Sequence, residues 1–144
     1  VGLPLVGTLR ANGIKAERIV LDERASEKEI ADAIEKVKVS DLVVAGLFAR
    51  VRSGAKNSIG IPLSGEKVLR SAFTNNKPTV GVSFGNPYFL RDIPEFQTYI
   101  ASYGDMATLQ RATANALVGK QDFVGKLPVT IGNFKYGTGL SLEK

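Results

Sequence analysis

Apolar positions along the chain follow two patterns. Four runs are short and nearly continuous: Arg18–Leu21 (RIVL), Asp41–Leu47 (DLVVAGL), Pro78–Phe84 (PTVGVSF) and Thr98–Tyr103 (TYIASY). Runs of this length without polar alternation suit strands buried on both faces, as in a parallel sheet. Pro78 stands first in its run, where a strand tolerates a residue without an N–H.

The second pattern has the helical period. Ser26–Lys38 opens with Ser26-Glu27-Lys28-Glu29, the sequence of a capping box, and then places Ile30, Ala33, Ile34 and Val37 on one face. Ser64–Asn75 aligns Val68, Leu69, Ala72 and Phe73, and Asn75-Asn76 closes it. Asp105–Val118 has Asp105 as its expected N-cap, a stripe of Leu109, Ala112, Thr113, Ala116 and Leu117, and Gly119 beyond its end. Leu5–Ala11, stopped by Asn12-Gly13, predicts a fourth helix.

Strands alternating with helices predict an α/β fold: a three-layer α/β/α sandwich around a mostly parallel sheet. The tail after Gly119 is less regular, and Lys126–Ile131 (KLPVTI) is expected to add an edge strand. No repeat, low-complexity tract or linker divides the 144 residues, so residues 1–144 are expected to form one domain.

Composition narrows the chemistry. The chain has no His and no Cys. It therefore holds no Ser-His-Asp triad, imidazole base, thiolate nucleophile, disulfide or cysteine metal site, and no metal or cofactor is expected. Nineteen basic residues against 14 acidic give a net charge of +5. The basic residues are scattered without interleaved aromatics, so no nucleic-acid partner is expected. No apolar run approaches the ~18 residues of a spanning helix. The chain opens on Val1 and its only Met is Met106, which predicts a processed protein or a piece of a longer one.

In open α/β sheets, ligands gather at the carboxyl ends of the strands. Two loops are expected there. One follows DLVVAGL and carries Arg50, Arg52, Ser53 and Lys56, while no Asp or Glu occurs anywhere from Leu42 to Gly65. Its guanidinium forks suit a small anion or a sugar; equally, they suit pairing with helix carboxylates in a solvated loop. The other is Gly85–Asp92, where Asn86 either points its amide at a ligand or caps the Gly85-Asn86-Pro87 turn, and Tyr88 follows. Arg50, Arg52, Ser53, Asn86 and Tyr88 are the candidate substrate-binding residues. Neither a phosphate-loop motif nor a G-x-S-x-G elbow is present, and spacing identifies no catalytic carboxylate pair.

Three stretches together resemble the C-terminal domain of family 3 glycoside hydrolases, in the β-N-acetylglucosaminidase (β-hexosaminidase)-like branch. They are Asp41–Pro62, Lys77–Tyr103 and Ala116–Ile131, with Ser83-Phe84-Gly85-Asn86-Pro87-Tyr88 and Gly125-Lys126-Leu127-Pro128-Val129 the most specific parts. The resemblance implies an α/β/α domain packed against an N-terminal (β/α)8 barrel of the same protein. In the family the nucleophilic Asp lies on that barrel. In the β-glucosidase branch an acid/base Glu comes from the loop matching Arg50–Gly60, where this chain has no carboxylate. In the N-acetylglucosaminidase branch a His and an Asp on the barrel take that role. The chain would then supply no catalytic residue and meet a carbohydrate substrate only indirectly, walling or supporting the barrel's site. An extracytoplasmic setting, periplasmic or secreted, goes with the resemblance, and the face meant for the barrel would make a homo-oligomer feasible. The alternatives are a stand-alone carbohydrate- or anion-binding module and a flavodoxin-like regulatory domain.

Overall fold

The computed structural model describes residues 1–48 and 60–143. The elements run α1 (Leu3–Ala11), α2 (Glu27–Val39), β1 (Val43–Leu47), α3 (Leu63–Thr74), β2 (Thr79–Ser83), α4 (Phe89–Asp92), β3 (Thr98–Ala101) and α5 (Ala107–Leu117). The three strands form a parallel sheet in the order β1-β2-β3, with Val44 opposite Val80 and Val82 opposite Ile100.

Strand periodicity sends alternate side chains to opposite faces. Val44, Val80, Val82 and Ile100 meet Leu5 and Leu9 of α1 and Ala114 of α5. Ala45, Leu47 and Tyr99 meet Leu69 of α3 together with Phe89, Ile93 and Phe96. Val43 packs into a further cluster in which Ile30, Ala33 and Val37 of α2 meet Val68 and Ala72 of α3. Helices therefore cover both faces, and the fold is α/β in three layers.

Helix boundaries follow local chemistry. The Ser26 hydroxyl accepts from Glu29 N while Glu29 Oε2 accepts from Ser26 N, so the capping box is formed. Helices α1, α3 and α5 end in Schellman turns with Gly13, Asn76 and Gly119 at positive φ. In α5, for example, Gly119 N donates to Ala116 O and Lys120 N to Asn115 O.

Four local expectations are corrected. Arg18–Leu21 is not a strand, because it pairs with no strand among the described residues. The run Thr98–Tyr103 stops pairing at Ala101, and Tyr103, at φ 58°, has left the extended conformation. Met106, not Asp105, is the N-cap of α5, and its buried side chains are Gln110, Thr113 and Ala114. The Gln110 amide donates to Asp105 O at 2.7 Å, while its Oε1 is buried without a hydrogen-bond partner among the described residues. Lys126–Ile131 does not extend the sheet. The tail folds on itself instead: Phe123 pairs with Leu142, Ile131 with Phe134, and Gly137 N donates to Leu127 O. Pro128 lacks an N–H for a ladder, and Gly139 runs so close to the Gly125 carbonyl that a Cβ would collide with it. The short helix α4 was unforeseen.

Candidate functional site: the carboxyl edge of the sheet

The carboxyl ends of β1, β2 and β3 lead into Phe48, Phe84 and Ser102. On the α1/α5 face, Phe48 and Phe84 stack with ring centroids 4.6 Å apart. Gly46 makes room for this pair, since a Cβ there would lie 2.9 Å from the Phe48 ring.

The opposite face carries polar groups at this edge. Ser83, the last residue of β2, is fully buried, and its hydroxyl has no hydrogen-bond partner of standard geometry. It lies close to the Tyr99 hydroxyl, which donates to Pro87 O at 3.1 Å. Burial raises the Tyr99 pKa, and the Ser83 hydroxyl partly offsets this. Tyr99 thus ties β3 to the turn after β2. Gly85 enters that turn at φ 130°, and Asn86 Oδ1 accepts from Tyr88 N at 3.0 Å. Asn86 is buried, and one side of its amide is committed to the turn. Tyr88 is partly exposed, as is Tyr103. Partial burial and the neighbouring Tyr88 phenol push the Tyr103 pKa up.

Of the five candidate residues, Asn86 and Tyr88 lie at this edge. Arg50, Arg52 and Ser53 lie outside the described residues. The residues that sequence reasoning missed are Ser83, Tyr99 and Tyr103. Ser83 and Tyr99 read as ordinary strand positions, and their proximity depends on strand register. Tyr103 carried one signal, a Gly directly after it at the end of an apolar run.

Carboxylates on the described surface engage in exposed ion pairs: Asp22 with Arg24 at 2.6 Å, Glu27 with Lys67 at 2.9 Å, and both Glu66 and Glu95 with Arg70. Asp92 pairs with Arg91 at 3.1 Å. An open groove of about 480 Å³ lies between α2 and α3, lined by Ile30, Ile34, Leu63, Glu66, Lys67 and Arg70. The Lys67–Glu27 pair spans its two helices. No helix among the described residues is long and apolar enough to cross a membrane.

Fold and edge together define a parallel-sheet α/β domain whose strand ends carry buried hydroxyls and partly exposed tyrosines. Over 58 residues it is 43% identical to a beta-N-acetylglucosaminidase/beta-glucosidase of Cellulomonas fimi. The match takes in 40% of this chain and spans about a tenth of that protein's length. No family model matches the chain.

Proposed function

We propose that this chain is an accessory α/β domain of a retaining β-N-acetylhexosaminidase or β-glycosidase of family 3 type. In this reading it is the C-terminal domain, and a (β/α)8 barrel elsewhere in the same protein carries the nucleophile. The observation that carries the reading is the 43% identity over 58 residues to a glycosidase ten times longer than the matched stretch. The parallel sheet with helices on both faces agrees with it.

The chain's part is to support that barrel and wall its site. Without His, and without a carboxylate from Leu42 to Gly65, it has no acid/base group to offer from the loop after β1. Arg50 and Arg52 are the residues proposed to reach a sugar hydroxyl, an acyl carbonyl or a substrate carboxylate, and Ser53, Asn86 and Tyr88 are the further proposed substrate contacts. A hydrogen bond from a charged donor contributes ~1.5–3 kcal/mol, so Arg50→Ala with Arg52→Ala should lower kcat/KM of the whole enzyme about ten- to a hundredfold. An unchanged kcat/KM for that double variant removes the two arginines from the site.

The native gene product tests the reading as a whole. Its intact mass should far exceed the 15.4 kDa of this chain, and hydrolysis of an N-acetylglucosaminide should co-purify with it. A native product of this chain's own mass would overturn the proposal. The three cations Arg50, Arg52 and Lys56 in a carboxylate-free stretch would then favour a stand-alone anion- or carbohydrate-binding module.

A further inference from the structure

The turn that ends α1 holds the chain's one Asn-Gly pair, Asn12-Gly13. Each residue is there for a reason of its own. Gly13 sits at φ 82°, in the left-handed region that a side chain disfavours. Asn12 is the C-cap, and its Nδ2 donates to Thr8 O at 2.8 Å, one of the carbonyls of the last helical turn. The helix stop therefore builds a reactive dipeptide. A primary amide precedes a backbone N–H, and Gly13 has no side chain to hinder attack by that nitrogen.

The chemistry needs only water. The Gly13 nitrogen attacks Asn12 Cγ, gives its proton to solvent base and forms a new N–C bond. The Cγ–Nδ2 bond breaks, and Nδ2 leaves as ammonia. The resulting five-membered succinimide takes up one water and opens to aspartate, or to isoaspartate, in which the main chain runs through Cγ.

The folded turn opposes this step at each atom that takes part. The nucleophile, Gly13 N, donates to Arg10 O at 3.0 Å, and Ile14 N closes the turn on Leu9 O at 3.1 Å. The leaving group, Nδ2, is held by Thr8 O. Asn12 has ψ 18°, which in an L-residue rotates the following nitrogen away from Cβ, so the ring closes only after that peptide turns over. A clasp holds the turn from beyond. Exposed Arg10 donates through Nε to Ala16 O at 2.7 Å, and Ala16 packs in the cluster that contains Leu5 and Leu9.

We infer that Asn12 is a site of spontaneous deamidation, locked by the folded end of α1 and released when that turn opens. The product opposes reclosure. Aspartate at this position has no N–H for Thr8 O and sets a negative charge against the carbonyl end of the helix, where the dipole favours cations. Isoaspartate lengthens the main chain inside the turn. Since α1 brings Leu5 and Leu9 to the core, the modification weakens the seating of the helix and marks chains that have opened.

The test incubates the full chain in mildly alkaline buffer, with and without denaturing guanidinium chloride, and follows Asn12 by peptide mapping. Asn12 should convert about tenfold or more slowly in the folded chain, because reaction proceeds from the open turn. Arg10→Ala removes the exposed clasp and leaves the dipeptide intact. It should speed conversion in the folded chain about three- to tenfold, taken relative to its own denatured rate, as expected for the loss of one hydrogen bond. Asn12→Asp, which stands in for the product, should melt below the parent. Equal rates in the folded and denatured parent overturn the inference. So does an Arg10→Ala chain that converts no faster than the parent, or an Asn12 that stays intact in denaturant while other asparagines convert. An Asn12→Asp chain that melts no lower than the parent overturns the consequence for α1.

Discussion

Gly81 shows how closely single atoms set this fold. It faces the α3 side from the middle of β2, and a Cβ there would lie 2.8 Å from the Tyr99 ring and 2.9 Å from the Phe96 ring. Overpacking of this kind costs ~1–3 kcal/mol. Gly81→Ala should therefore lower the Tm, whereas Gly7→Ala, in α1 with nothing near the added methyl, should raise it, since it recovers the ~0.5–1 kcal/mol of stability that a helical Gly forfeits. Thermal melts of the two variants should move in opposite directions. Tyr99→Phe removes the bond to Pro87 O, which should cost about 1 kcal/mol and loosen the Asn86–Tyr88 turn. Glu29 supplies a pH test. Its carboxylate accepts from the Ser26 backbone N–H and then from the Ser26 hydroxyl, both of which hold its pKa below the usual value. A lowered folded pKa gives stability that is present above the ordinary glutamate range and lost as pH falls through the folded value. Glu29→Gln should thus melt below the parent at neutral pH, and the gap should close on acidification. A gap that is constant with pH contradicts this role.

At the scale of elements, the sequence showed most where local chemistry decides. Ser26 and Glu29 start α2, and Gly13, Asn76 and Gly119 end their helices at positive φ. These signals lie within a few residues of what they control. Gly119→Ala should cost ~1–2 kcal/mol for a left-handed L-residue, while Asn76→Gly should raise the Tm; chemical denaturation of each variant measures both. The failures came where a partner elsewhere decides. Arg18–Leu21 has a strand's composition but no neighbour to pair with among the described residues. The buried face of α5 is turned from the expected stripe toward Gln110, whose amide N–H donates to the Asp105 carbonyl. Lys126–Ile131 has an edge strand's composition, yet it bonds to residues of its own tail. The strand-end position of Asn86 and Tyr88 was legible from the run that precedes them. Ser83 and Tyr99 were not, since two residues on neighbouring strands meet only once the register is fixed.

For the whole molecule, three parallel strands under helices on both faces make a real core, with Val82, Phe84 and Ala114 almost fully buried. Two places on its surface stand out among the described residues. One is the open edge of β1. The other is the tail, where Val124, Tyr136, Leu140 and Leu142 are exposed, the kind of apolar surface that a neighbouring domain would cover. The chain holds a net charge of +5 and no His or Cys. In the proposed reading, catalysis resides outside this chain. Incubating the rigorously purified chain with a chromogenic N-acetylglucosaminide tests this. No release of chromophore above the buffer rate is expected. Turnover that disappears when one of the chain's own carboxylates is replaced by its amide would contradict it.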